Sequence, residues 1–339
     1  MWSHISIVLY VMFSRRLSHI VVFLFFENPR VTRVGRWGST VPPTMTLPPI
    51  FFHVFTNPLP YVPTLRLQNT IHALQLASRR LTPNAHSDYL LLLEHKPVYT
   101  AGRRLSQAQT TPGQENESKR LTALGADFVH TARGGQMTYH GPGQLVGYPL
   151  LDLGRTQPPI PVRDYVCFLQ RTLKSLLLRH GIKSDPGELM KDETGVFVDG
   201  GNVKLASIGV QVRHRLTTHG IAVNVTKEPL QWFGNIVACG LVGVKAGCIE
   251  ERIMDVLSPT PSVETEAHAF AKLFGQNFGR QMQPLIDVTG DEATDEVRKV
   301  KEMIEEIEML SEKEQDEEEP GLLAWSVMDS IAESLELYP

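Results

Sequence analysis

Cys239 lies in the stretch FGNIVACGLVG, between Ala238 and Gly240 and directly after an apolar run. A thiol that attacks a substrate needs room for the approach, and small neighbours give that room. Backbone N–H groups beside it are placed to hold a developing oxyanion. An ordinary thiol, with a pKa of about 8.5, needs a base or a cation nearby to become the thiolate. His140 and His219 are candidate bases by position. Lys204, in NVKLASIGV, is another: the alternation around it reads as a partly buried strand, where an unpaired ammonium is costly. A desolvated ammonium gives up its proton more readily, so such a lysine can exchange protons with a thiol or an amine. Each residue also has a structural reading, as an inert buried cysteine or as a lysine whose ammonium reaches back to water. Cys167 falls inside a periodic helical run and reads as core packing. Cys248, in KAGCIEE, has two acids beside it, which raise a thiol pKa rather than lower it.

The second concentration of chemistry is RGGQMTYHGPGQL, Arg133 to Leu145, with four glycines, an arginine and a histidine. A phosphate-binding loop of the GxxxxGK[ST] kind needs a lysine that is missing. A GxGxxG fingerprint must open a helix, whereas this stretch runs on into strand-like sequence. A plain turn accounts for GPG but not for Arg133, Tyr139 and His140 gathered around it. A metal site is not indicated: His130, His140, His214 and His219 lack any HExxH or CxxC spacing.

These residues must be positioned by an interleaved set of strands and helices. LQNTIHALQLASRRL places Leu67, Ile71, Leu74, Ala77 and Leu81 on one helical face, in a compact region beginning near Pro58. DYLLLLEH and QLVGYPLLDL are apolar runs of strand length, expected to be buried. RRLSQAQTTPGQENESKR, with Pro112 and Gly113, reads as an exposed loop. Pro161 opens a helix carrying Val166, Leu169, Leu173 and Leu177, and Gly181 stops it. GVFVDGGNVKLASIGVQV is a hairpin around DGGN, and HGIAVNV is a further strand. Hairpins among interleaved elements favour an α+β fold with a central mixed β-sheet flanked by helices over a doubly wound one.

The chain has 339 residues, 42% hydrophobic and 21% charged, which fits a soluble globular protein. Its net charge of -4 is unevenly spread: +4 over 1–44, +6 over 45–286, and -14 from Asp287 onward, where eighteen acids face four bases. The middle segment suits an acidic protein partner and is too weakly basic for nucleic acid. Three cysteines argue against a disulfide framework and for a reducing compartment. In 1–44, ISIVLYVMF and IVVFLFF are split by SRRLSH, so neither run reaches the roughly 20 residues of a membrane span. Three readings fit this segment: an organelle transit sequence, which its arginines and serines favour, a gene-model extension before Met45, and a membrane anchor. Residues 45–286 form the expected catalytic domain. Residues 287–339 are expected to be an acidic tail, either a solvated helix with Val300, Ile304, Ile307 and Leu310 on one face or a disordered extension.

RGGQMTYHGPGQLVGYPLLDL, KLASIGV, HGIAVNV and ACGL, with LLLEHKPVYTAGRR upstream, resemble in order and spacing the octanoyltransferase, or lipoyl(octanoyl) transferase, family over roughly 58–250. The resemblance implies a fold shared with lipoate-protein ligases and biotin protein ligases. It implies transfer of an octanoyl group from octanoyl-acyl carrier protein to a lysine amine on lipoyl-domain proteins, namely the glycine cleavage H protein and the E2 subunits of 2-oxoacid dehydrogenases. A mitochondrial, monomeric enzyme that needs neither ATP nor metal is expected. By the same resemblance Cys239 carries the acyl thioester and Lys204 lowers that cysteine's pKa. Arg133, Gly134, Gly135, Gln136, Met137, Thr138, Tyr139 and His140, then Ser207, Ile208 and Gly209, then Gly220, Ile221 and Ala222, line the acyl site. The glycines are expected to make room for the hydrocarbon chain, with Tyr139 and His140 framing its thioester end. After GLVGV the family carries a hydroxyl-containing stretch where this chain has KAGCIEE. The rivals are an ATP-dependent lipoate-protein ligase, a Cys–His thioester hydrolase, and a non-catalytic protein that only grips acyl carrier or lipoyl domains.

Overall fold

In the computed structural model, DYLLLL becomes strand β2 (Asp88–Leu93), with all six residues buried. Leu90 and Leu92 enter one core, and Tyr89, Leu91 and Leu93 enter another. A strand apolar on both faces belongs in the middle of a sheet covered on both sides. The structure describes residues 47–82, 85–106, 112–185, 194–236, 243–253, 260–290, 293–316 and Met328.

The remaining strands of the large sheet are β1 (Ile50–Val54), β6 (Gln144–Leu150), β7 (Gly195–Val198), β8 (Val203–Arg213), β9 (Leu216–Asn224), β10 (Lys245–Ala246) and β11 (Met282–Pro284). Their order is β10-β8-β9-β6-β2-β1-β11, with β7 also on β8. β1 runs parallel to both β2 and β11, and β10 runs parallel to β8; β2–β6, β6–β9, β8–β9 and β7–β8 are antiparallel. The sheet is therefore mixed, as the hairpin signals require. A smaller sheet, β4 (Asp127–His130), β3 (Val98–Ala101) and β5 (Met137–His140), carries its own apolar cluster of Tyr99, Leu121, Ala126 and Tyr139.

One face of the large sheet is covered by α4 (Val162–Leu178) and α6 (Val263–Phe278), the other by α1 (Tyr61–Leu81) and α7 (Asp295–Asp316). Pro161 precedes α4, as expected, and Leu169, Leu173, Leu176 and Leu177 form its buried stripe. Ser262 caps α6 by accepting from the Thr265 N–H at 3.2 Å, and Gly279 closes it at φ 62.

Three features differ from the sequence reading. β1 pairs with β2 upstream of Pro58, because five apolar and aromatic residues supply an edge that β2 needs. The polar stretch 103–120 is partly helical, as α2 (Arg103–Ser106) and α3 (Pro112–Thr122), with Leu121 anchoring α3 on the small sheet. Pro112 and Gly113 sit in the first turn, where neither breaks a helix. The acidic segment is not simply solvated. α7 buries Val297, Val300, Met303, Ile304 and Ile307 against Leu67, Ile71 and Leu74 of α1, while Glu302, Glu305 and Glu312 stay exposed. Each such burial stabilises by roughly 1.5–3 kcal/mol, and the Glu296 carboxylate adds bonds from the Ser87 N–H and the Tyr89 hydroxyl, both 2.9 Å.

Candidate active site

A cavity of about 690 Å3, counting its open mouth, lies where α1, the small sheet and the middle of the large sheet meet. Tyr61 enters from the first turn of α1, Thr138 and His140 from β5, Lys204, Ser207 and Gly209 from β8, and His219 to Ala222 from β9. Val146, Ile208 and Ile221 supply apolar wall. Among the described residues none that lines the cavity is acidic, and Arg104, Arg133 and Lys204 bring positive charge.

Local backbone geometry explains how these side chains converge. On β5 the pleat alternates, so Thr138 and His140 face the cavity while Met137 and Tyr139 face the aromatic cluster behind it. On β8 the pairing with β7 slips at Leu205: Val196 faces Ala206 and Phe197 faces Lys204. This bulge shifts the pleat by one residue, so Lys204 lines the same cavity as Ser207 and Gly209. The Lys204 ammonium sits 5.3 Å from the Phe197 ring centroid. Gly195 lies beside it on β7, where a Cβ would come within 2.7 Å of Lys204 Cε. His219 holds a left-handed backbone at φ 58 inside β9, a conformation a non-glycine residue keeps only under tertiary constraint. Its N–H donates to Gln68 Oε1 of α1 at 2.8 Å.

The electrostatics of the cavity are set by burial. Arg133 is a buried cation whose guanidinium donates to Thr100 O at 2.6 Å, to Thr100 Oγ1 at 2.7 Å and to Gly134 O at 3.0 Å. Burial holds His140 well below the usual histidine range, and the neighbouring His95 and Arg133 push the same way. Burial lowers His219 to about 3 and His95 to about 4. Burial raises Tyr61 to about 12, against the pull of Arg133 and a bond to Thr131. The site therefore offers neutral imidazoles beside a fixed positive charge, an arrangement suited to an oxyanion that develops from a neutral acyl group.

The cavity coincides with a region that known proteins share. The model of the lipoyl protein ligase A/B catalytic domain matches residues 68–274. The chain belongs to this family. The mitochondrial octanoyl-[acyl-carrier-protein]:protein N-octanoyltransferase of Danio rerio is 39% identical over 214 residues, 63% of this chain and 88% of that protein. The octanoyltransferase of Caldicellulosiruptor saccharolyticus is 36% identical over 219 residues, 64% of this chain and 86% of that protein. Relatives of this identity and coverage make the chain an acyltransferase. The bipartite lipoate protein ligase of Thermoplasma acidophilum superposes with a TM-score of 0.50 at 15% identity, over 82% of this chain and 98% of that one, which shows the shared fold.

Within this octanoyltransferase-like enzyme, the residues expected to line an acyl site separate into two groups. Arg133, Gly134, Gly135, Thr138, His140, Ser207, Ile208, Gly209, Gly220, Ile221 and Ala222 line the cavity together with Lys204. Gln136, Met137 and Tyr139 do not. Tyr139 stacks on Trp232 with ring centroids 5.1 Å apart, so it belongs to the small-sheet core and not to the cavity wall. Three glycines in and beside the site make room for neighbouring protein atoms. Gly220 lets Gly147 and Pro149 of β6 come close, Gly209 accommodates the Arg133 side chain, and Gly141 accommodates the Tyr139 hydroxyl. Cys239 lies outside the described residues, which stop at Ile236 and resume at Gly243. Beyond it, Ala246 of β10 pairs with Lys204, which brings the chain back to the site. Cys248 is fully buried, and burial raises its thiol to about 11, with the charges of Glu250 and Glu251 adding to the rise, which favours the protonated thiol. Cys167 is only partly buried on α4. Among the described residues no group of His, Cys, Asp and Glu is placed to hold a metal, and no helix is long and apolar enough to cross a membrane.

Tyr61 and Tyr148 also line the cavity, and sequence reasoning missed both. Tyr148 is one residue of the apolar run QLVGYPLLDL, and its hydroxyl, donating to His95 Nε2 at 2.6 Å, gives no signal in that run.

Proposed function

We propose that this chain transfers an octanoyl group from the phosphopantetheine thioester of an acyl carrier protein to a lysine amine of a lipoyl-domain protein, through an acyl thioester on Cys239. The acceptors are of the glycine cleavage H protein and 2-oxoacid dehydrogenase E2 kind. The reaction needs neither ATP nor metal and takes place in the mitochondrion. The observation that supports the reading best is the cavity itself, which brings Lys204 and buried Arg133 to one wall with apolar Val146, Ile208 and Ile221.

The chemistry balances without an outside energy source. Cys239, as the thiolate paired with the Lys204 ammonium, attacks the thioester carbonyl. The tetrahedral oxyanion collapses with loss of the carrier's thiolate, which takes a proton from Lys204. In the second half the acceptor lysine, arriving as a neutral amine, attacks the Cys239 thioester. Its extra proton passes to Lys204, the Cys239 thiolate leaves, and an amide forms. Thioester exchange is near balance, and amide formation drives the sequence forward. Apolar wall contacts distinguish chain lengths at about 0.8 kcal/mol per methylene, near fourfold each.

The test is transfer of octanoyl from carrier to a lipoyl domain in a purified reaction lacking ATP. Turnover is expected without nucleotide, and Lys204→Met is expected to slow it by about 100-fold or more while leaving the melting temperature in place. Turnover that requires ATP overturns the reading in favour of a ligase.

A further inference from the structure

Four hydrogen bonds outside the acyl cavity fix the chemistry of a residue inside it. His140 Nδ1 lies 2.7 Å from Gln144 Oε1. Gln144 Nε2 donates to Asn224 Oδ1 at 2.9 Å and to Tyr139 O at 3.2 Å. Asn224 Nδ2 donates to Gly247 O at 2.9 Å. The Gly247 N–H in turn donates to Lys204 O at 3.0 Å, so the chain of bonds ends on the backbone of the site lysine.

The two ends of an amide side chain look alike by shape, and a neutral imidazole can carry its proton on either nitrogen. A backbone carbonyl removes the ambiguity, since it only accepts. Gly247 O therefore requires the NH2 end of Asn224, which turns Asn224 Oδ1 toward Gln144. Asn224 Oδ1 and Tyr139 O both require the NH2 end of Gln144, which turns Gln144 Oε1 toward His140. An amide oxygen only accepts, so the proton of His140 must sit on Nδ1. The ring is stacked parallel to Tyr61, with centroids 6.2 Å apart and planes 3° apart, and is almost wholly buried, which favours a single orientation.

We infer that Gln144 and Asn224 are positioning residues that hold His140 as the Nδ1–H tautomer, so that His140 offers the acyl-transfer cavity a hydrogen-bond acceptor and not a donor. The inference rests on the octanoyl-transfer reading for the identity of what His140 meets. With Nε2 bare, His140 holds an N–H of the arriving lysine amine and leaves that amine's lone pair for the thioester carbon. It does not stabilise the carbonyl oxyanion, which falls to donors such as Arg133 and backbone N–H groups. Gln144 lies four residues after His140 within HGPGQ, and Asn224 within GIAVN, so both act from beneath the wall of the site.

The test is a long-range 1H–15N correlation spectrum of the histidine-labelled full chain, with the His140 signals assigned by their loss in His140→Gln. The wild type is expected to show a protonated Nδ1 and an unprotonated Nε2. Gln144→Leu is expected to lose that single tautomer and to slow amide formation by about 10- to 100-fold, while acylation of the enzyme by octanoyl carrier proceeds as before. A protonated Nε2 in the wild type, or an unchanged tautomer in folded Gln144→Leu, overturns the inference. The spectrum is read without substrate, so it succeeds or fails separately from the octanoyl-transfer reading, which fails instead if the wild type transfers no octanoyl group.

Discussion

At the scale of single residues, the glycine-rich stretch Arg133–Leu145 separates cleanly into wall and core. Residue types marked it only as more than a plain turn, the family resemblance gave it a place at the site, and the roles within it follow from the period of two. Thr138 and His140 face the cavity, and Tyr139 faces Tyr99, Trp232 and Phe233. The Tyr139 hydroxyl is buried without a hydrogen-bond partner among the described residues. Tyr139→Phe is therefore expected to leave octanoyl transfer unchanged and stability equal or slightly higher, because removing an unsatisfied buried hydroxyl costs nothing in bonding. Tyr139→Ala is expected to lower stability by about 3–5 kcal/mol, read from urea unfolding. A large fall in turnover for Tyr139→Phe at unchanged stability would return Tyr139 to the acyl site. Lys204 was legible only as an oddity in a strand. What aims it is the bulge at Leu205, and a bulge depends on the pairing of two strands and leaves no mark in KLASIGV alone.

At the scale of elements, periodicity located most of the strands and helices, because an apolar stripe must be buried wherever the chain places it. It could not say what would do the burying. VRKVKEMIEEIEML announced a helical face through Val300, Ile304, Ile307 and Leu310, yet the acids around it pointed to a solvated tail. The face is instead packed on α1, whose first turn carries Tyr61 into the cavity and whose Gln68 holds the β9 backbone at His219. Ile304→Ala is expected to destabilise the protein by about 2–5 kcal/mol, measured by thermal or urea unfolding. At a temperature where the variant remains folded, turnover is expected to stay within about twofold of the wild type, since no described residue of α7 lines the cavity. Unchanged stability would mean that α7 is the appendage its charge suggests. The polar stretch 103–120 was opaque for the opposite reason: a single apolar anchor, Leu121, holds α3, and one residue is no periodicity.

At the scale of the whole molecule, the mixed sheet packs two apolar cores, and several histidines are buried in neutral surroundings, His140 and His219 among them at the cavity wall. Burial, reinforced for His72 by Arg213, lowers His72 to about 4, and burial alone leads the lowering of His95 to about 4 and His219 to about 3. In the unfolded chain these groups titrate near pH 6.5, at about the ordinary value. Below that pH the unfolded chain binds more protons than the fold, so stability that is fully present above about pH 6.5 is lost as pH falls toward about 4. Each histidine contributes at most about 1.4 kcal/mol per pH unit. Urea unfolding across that window is expected to show this slope, and His95→Gln is expected to reduce it; a flat profile would mean that the imidazoles are not buried neutral. The central claim concerns Cys239, which precedes β10 in the chain; β10 itself pairs with β8 at Lys204. Incubating the full chain with octanoyl-acyl carrier protein and measuring its intact mass tests that claim most directly. One octanoyl adduct, mapped to Cys239 and abolished by Cys239→Ala, is the expected result, and no adduct, or one mapped to Cys248, would contradict it.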